Sequence, residues 1–380
     1  MITDSLKQEF IHQLTHAHTA HRIPGIVASL FSSQQTYFTI ASGLRHCKHS
    51  DPVTINDQFR IGSCGKAVTG TCIASLVEQG ILGWNQPFSD LQSKLDFEIP
   101  HRYQNATLAS LLNHTSGLSV MLSLKDANDK NRYTPEGRIK CTENLLHEHS
   151  DYTPGTFNYS NAGYLIAGTI AEQITRTDWP SLITQNILAP LQITTSIGEP
   201  TLISKEQPHG HCFLDQQYID NKKALKMPFD SPVIAITDLP PHERYPHPLS
   251  ISPIGNINFS VIDHTVFLRE HLKGLVGIDG ILSSQSIQAL HTPPSSLFYA
   301  IGWNIHDLHG LQVSGSSGWC GTFYAYVLLC PSLDFGFTFL CNAGHTQACQ
   351  GLALEAESLF LLVRNYMKNM SIHALDHASE

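Results

Sequence analysis

The chain has 380 residues, 42% of them apolar and 14% charged, a composition that builds a core and excludes a disordered chain. Its net charge of -9 argues against nucleic acid as a partner. The apolar runs fall far short of the roughly 18 residues of a membrane span, so no membrane insertion is expected.

The first residues mix Asp4, Lys7 and Glu9 with apolar positions and lack the three regions of a secretory signal. Nine cysteines, odd in number and without a Cys-x-x-Cys pair, read as reduced thiols. Both features predict a cytoplasmic protein.

In chain order, Leu6, Phe10, Ile11 and Leu14 recur at helical spacing. The apolar runs Gly25 to Phe31 and Thr36 to Ala41 then flank the polar Ser32 to Gln35, which reads as strand, turn, strand. Ser63 opens a segment with Val68, Cys72, Ile73, Leu76 and Val77 on one helical face, closed by Gly80. From about 85 to 250, short helical patterns alternate with loops rich in Pro, Asn, His and Gly. Leu297 to Trp303, Phe323 to Cys330 and Asp334 to Cys341 read as strands, the last two joined by a short hairpin connection. Cys349, Leu352, Ala353, Ala356, Leu359, Phe360 and Val363 then predict a long amphipathic helix covering the sheet.

The expected organisation is one unit over 1–370. An α/β part (about 1–84 and 251–370) surrounds a mostly helical insertion (about 85–250), and 371–380 form a polar tail.

Ser63-Cys64-Gly65-Lys66 is a Ser-x-x-Lys motif at a helix start, so the lysine lies one turn after the serine on the same face. A serine hydroxyl becomes nucleophilic when a neighbour takes its proton, and a desolvated lysine is suited to do so. Tyr159-Ser160-Asn161 follows the Pro154-Gly155 turn and begins another helix, offering a phenol for proton relay and an amide for a substrate carbonyl. Tyr103-Gln104-Asn105 matches the same short pattern, and the turn-then-helix setting favours Tyr159.

His209-Gly210-His211-Cys212 has zinc-ligand types but no distal pair at recognised spacing, so no metal is expected. His12, His16 and the histidines between 18 and 21 belong to a solvated helix face.

Several stretches together carry a resemblance: Ile23 to Val27, Phe59 to Ser63 with Lys66, Leu111 to Leu118, Pro154 to Asn161, and Ile301-Gly302-Trp303. In order and spacing the chain resembles the β-lactamase-related serine hydrolases. That family includes class C β-lactamases, penicillin-binding D-alanyl-D-alanine carboxypeptidases, D-amino-acid peptidases and family VIII-type carboxylesterases.

The resemblance implies an α+β fold, with an antiparallel sheet flanked by the N- and C-terminal helices, an inserted all-helical domain, and the active site between them. It also implies an acyl-enzyme without metal or organic cofactor. Ser63 becomes the nucleophile, Lys66 the base, Tyr159 its proton-relay partner and Asn161 a substrate contact. The Leu112 to Leu118 turn is then structural, so His114 and Ser116 are not counted as catalytic.

The family's third motif, Lys or His, a small residue and Gly, lacks its cation here. Val313-Ser314-Gly315 and Ser316-Ser317-Gly318 are the two registers, and the second runs without a gap into Thr322 to Pro331. In that register Ser316 faces the centre, Gly318 closes the motif, and Trp319 supplies an oxyanion-hole N–H beside that of Ser63. His306 and His309 are candidates to replace the cation.

Without the cation, neutral esters or amides are favoured over anionic substrates. The expected function is therefore an esterase-like serine hydrolase on a small ester, amide or acyl substrate. An acyltransferase, D-peptidase or β-lactamase would use the same site, and a non-catalytic scaffold or binding protein is the reading from another class.

Overall fold

The computed structural model of the chain describes residues 4–119, 135–213, 233–239, 252–294, 297–344 and 346–376. Helix α1 (Asp4–Ala20) leads into strands β1 (Gly25–Phe31) and β2 (Thr36–Gly43), and the two-residue strand β3 (Phe59–Arg60) precedes helix α2 (Gly65–Glu78). Helices α3 (Leu108–Leu112), α4 (Pro135–His147), α5 (Asn161–Thr175) and α6 (Trp179–Ile183) follow. The same region also carries β4 (Ser196–Ile197), α7 (Pro200–Ile203), β5 (His211–Phe213) and β6 (Val233–Ala235).

The chain returns through α8 (Ser252–Gly255), β7 (Ile257–Phe259), α9 (Val261–Leu275) and α10 (Ser284–Leu290). Strands β8 (Asn304–Leu308), β9 (Leu311–Trp319), β10 (Tyr324–Cys330) and β11 (Phe335–Cys341) and helix α11 (Thr346–Asp376) complete it.

The main sheet has the order β2-β1-β11-β10-β9-β8 and is antiparallel throughout. Its period of two sorts side chains between layers. Ile26, Ala28 and Leu30 of β1, with Phe335, Phe337 and Phe339 of β11, pack on α1 and α11. Val27 and Phe31 face the opposite way into the larger core that encloses α2. Every residue of β1 is therefore buried. The fold is α+β, as expected, and among the described residues no helix is long and apolar enough to cross a membrane.

Helix α2 differs from the one-sided helix its spacing suggests. Every residue from Gly65 to Leu76 is buried, because the sheet lies on one side and α5, α8 and α10 on the others. A helix enclosed on all sides needs small residues at its contacts, and Gly70, Thr71 and Ala74 supply them.

A line of buried hydrogen bonds ties α2 to β9. Thr71 Oγ1 donates to Ala67 O at 2.8 Å and lies 3.0 Å from His271 Nε2. His271 Nδ1 lies 2.9 Å from His291 Nε2, and His291 Nδ1 lies 2.8 Å from Ser314 Oγ. With the Thr71 proton spent on Ala67, each imidazole Nε2 donates and each Nδ1 accepts.

Two sequence expectations change. Leu297 to Trp303 is not a strand: only Tyr299 bridges Asn304, and the edge strands are β8 and β9. The run is apolar because Tyr299, Ala300 and Trp303 are buried as a loop, with Ile301 against Gly70 of α2. The segment read as a polar tail from 371 is helical as far as Asp376, and the remainder lies outside the described residues.

Candidate active site

Strand β3 fixes the approach to Ser63. Phe59 and Arg60 pair with Phe259 and Asn258 of β7, and Ile61 N–H donates to Ile257 O at 3.1 Å. The chain then reverses at Gly62, whose φ of +52° lies in the left-handed region that disfavours side chains. A 3-10 turn, Gly62–Cys64, delivers a half-buried Ser63 to the start of α2.

Lys66 is fully buried one turn later, and its Nζ donates to Ser63 Oγ at 2.9 Å and more weakly to Ile254 O at 3.5 Å. Lys66 Nζ also lies 5.0 Å from the centre of the Tyr159 ring and 5.6 Å from that of Tyr164. No carboxylate pairs with it among the described residues. The Ile254 carbonyl is a partner that the sequence did not reveal.

Tyr159 OH donates to Ser63 Oγ at 3.1 Å, so one hydroxyl oxygen meets both an amine and a phenol. The turn around His114 holds this tyrosine in place. Asn158 N–H donates to His114 O at 2.8 Å, Asn158 Nδ2 to Leu118 O at 2.7 Å, and Ser160 N–H to His114 Nδ1 at 3.1 Å. Burial, reinforced by the nearby Lys66 charge, pushes the His114 imidazole down to about 3. It is therefore neutral, accepts at Nδ1, and packs its ring 4.4 Å from that of Tyr159.

His114 thus touches Tyr159 and has no bond to Ser63, which makes it a positioning residue. Tyr299 joins the same stack, 4.5 Å from His114. The sequence missed it because its apolar run was read as sheet. Tyr103, the alternative phenol, is buried with its hydroxyl unpartnered among the described residues. Asn161 begins α5 one residue past the Ser160 cap, and its Oδ1 is buried without a hydrogen-bond partner among the described residues.

Strand β9 carries both registers of the third motif, and contacts separate them. Ser314 bonds His291, away from Ser63. At Gly318 an added Cβ would stand 2.8 Å from Ser63 N, and at Gly62 it would stand 2.7 Å from Trp319 N. The Ser316-Ser317-Gly318 register is therefore the one lying against the serine turn.

Ser316 itself is buried, and its hydroxyl bonds the Cys64 thiol, which burial pushes up to about 12. Trp319 is 62% exposed, with its indole N–H donating to Gly344 O. Neither candidate cation substitute reaches the site. His309 bonds Glu357 of α11 at 2.8 Å, and His306 lies over Gly315 on the exposed side of β8.

No metal-ligand cluster adjoins Ser63 among the described residues; the His/Cys group found there is His46, Cys47 and His211.

Residues 9–359 match the Beta-lactamase family. The chain is 23% identical to penicillin-binding protein 4 of Amycolatopsis lactamdurans, over 86% of this chain and 82% of that protein. It is also 23% identical to the unguisins hydrolase ungD of Aspergillus violaceofuscus, covering 92% of this chain but only 63% of that longer relative. Among solved structures, D-amino acid amidase from Ochrobactrum anthropi SV3 superposes with a TM-score of 0.76 at 19% identity, over 95% of this chain and 99% of the amidase. The matched region runs from the first helix into the last and contains the Ser63 turn, Tyr159 and the whole main sheet, so the chain belongs to the beta-lactamase family.

Proposed function

We propose that the chain is a serine hydrolase that forms an acyl-enzyme on Ser63 and acts on small neutral esters or amides. The observation that carries this reading is the Oγ of half-buried Ser63, 2.9 Å from Lys66 Nζ and 3.1 Å from Tyr159 OH.

As Oγ attacks the substrate carbonyl, Lys66 takes its proton. The backbone N–H groups of Ser63 and Trp319 hold the developing oxyanion, an interaction typically worth about 10²- to 10³-fold in rate per donor. Tyr159 relays the proton to the departing alcohol or amine, and water then attacks the ester on Ser63. Asn161, whose Oδ1 has no hydrogen-bond partner among the described residues, offers the substrate a polar contact.

Ser316 in place of a cation argues against a substrate carboxylate. Exposed Trp319 and Phe298, the latter 4.9 Å from Phe157, provide apolar surface for an acyl group. The hydrolase and amidase named among the relatives support hydrolysis, and nine cysteines that form no disulfide support a cytoplasmic setting.

Intact-mass spectrometry after incubation with p-nitrophenyl butyrate, a fluorophosphonate and a penicillin tests the reading. A mass adduct on the wild type that is absent from Ser63→Ala supports it, and the reagent that reacts separates ester from β-lactam chemistry. Absence of both a serine-dependent adduct and turnover would leave a non-catalytic protein of this fold. Product analysis with added alcohols or amines separates hydrolysis from acyl transfer.

A further inference from the structure

The run His209 to Cys212 has no distal ligand pair in the sequence, yet the fold brings one to it. His46 and Cys47 lie in the loop after β2, and His211 opens β5. One ligand atom from each lies within 4.8 Å of the others. We propose that His46, Cys47 and His211 bind a zinc ion at a site separate from the Ser63 centre.

Two imidazoles and a thiolate form a borderline-soft donor set suited to Zn²⁺, and a water completes four-coordination. Both histidines are oriented by outer partners in the manner of metal ligands. His211 Nδ1 donates to Asn342 O at 2.7 Å, which leaves the Nε2 lone pair facing Cys47. His46 Nε2 lies 3.2 Å from Asp238 Oδ1, which puts the proton on Nε2 and the lone pair on Nδ1.

The two lone pairs accept backbone N–H groups, from Cys47 to His211 and from Lys48 to His46, each at 3.1 Å. Zinc displaces those contacts through a shift of the 46–49 turn. The donor atoms then close to the separation of about 3.5 Å implied by Zn–S and Zn–N bonds near 2.3 and 2.0 Å. Cys47 loses its proton to solvent as the thiolate bonds the ion.

Access exists on the solvent side. His46, His49 and His209 line a surface cavity of about 580 Å³, through which the ion and its water enter. The site also has structural reach. His211 O accepts Gly344 N–H at 3.0 Å, and Gly344 O accepts the Trp319 indole, so the ion fastens β5 to the sheet beside the oxyanion strand.

Chelator-treated full-length protein titrated with Co²⁺ tests the site by absorption. Expected is saturation at one equivalent, with a near-ultraviolet thiolate-to-cobalt band and visible bands of tetrahedral intensity, all displaced by Zn²⁺. Cys47→Ser should abolish the thiolate band and weaken binding at least 10-fold while preserving the circular dichroism spectrum. His12→Ala with His16→Ala, on the exposed face of α1, should change nothing. Absence of saturable uptake, or a spectrum that survives Cys47→Ser, overturns the proposal. None of these readouts depends on turnover at Ser63.

Discussion

Gly318 approaches Ile61 so closely that a Cβ on Gly318 would stand 1.8 Å from the Ile61 carbonyl oxygen. No rotamer relieves such a clash, because the Cβ position is fixed by the backbone of Gly318 and the oxygen belongs to the backbone of Ile61. Gly318→Ala must therefore push β9 away from the Ser63 turn. Expected is a loss of kcat/KM of at least about 100-fold, the value of one oxyanion donor, with a stability loss of about 1–3 kcal/mol. An alanine variant with wild-type turnover would remove β9 from the reaction.

Tyr159→Phe keeps the ring against His114 and deletes only the hydroxyl that meets Ser63. The melting temperature should barely move, while turnover of an ester should fall roughly 10²- to 10⁴-fold, the usual span for a proton-transfer group. Stopped-flow measurement of acylation and deacylation locates the defect. Unchanged rates in both phases would transfer the relay role away from this phenol.

Acid should unfold the protein early. Burial pushes His114, His264 and His271 down to about 3 and drives His291 well below its ordinary value. In the unfolded chain each titrates near 6.5. Between these limits the unfolded state binds protons that the native state refuses, so stability is full above about pH 6.5 and falls as pH drops. By pH 5 the loss is about 2 kcal/mol for each of the three rings pushed down to about 3, together comparable to the stability of a marginal domain, and His291 acts in the same direction. Urea unfolding followed at pH 7 and pH 5 checks this; equal free energies at both values would contradict it.

Ser316→Lys restores the cation that the family's third motif carries. Ser316 sits on the strand face beside Cys64, so a lysine there extends along the serine turn. The ratio of kcat/KM for a carboxylate-bearing ester over its neutral analogue should rise at least about 10-fold, the value of one charge-assisted contact. A ratio that stays constant would mean the strand does not line the acyl pocket.

Much of the site was legible because its chemistry is local. Ser63 and Lys66 stand one helical turn apart, and that spacing alone sets their 2.9 Å contact. β1, β2, β10 and β11 were legible from apolar runs punctuated by turn residues. Tyr159 and Tyr103 could be separated only in three dimensions, since their short motifs are alike.

Strand β9 escaped because Val313-Ser314-Gly315-Ser316-Ser317-Gly318 has no apolar alternation. It is held by its pairing with β10 and its approach to Ile61. His114 was set aside as part of a structural turn, and its ring contact with Tyr159, 45 positions along the chain, lies beyond motif spacing. The partners of His211 lie some 160 residues away, beyond any motif spacing.

The pairing of β1 with β11 has a consequence for how the protein is made. Gly25 N–H donates to Asn342 Oδ1 across 317 residues, so the centre of the sheet cannot close until Asn342 has left the ribosome. At 5–20 residues per second, β1 waits roughly 15 to 60 s for its neighbour. During that interval a strand buried at every position in the fold is without its inner partner, and a truncated nascent chain would have Ser63 and Lys66 but no oxyanion strand to work with. Such a chain is inert until its last strands arrive, and β1 is the segment most in need of chaperone cover.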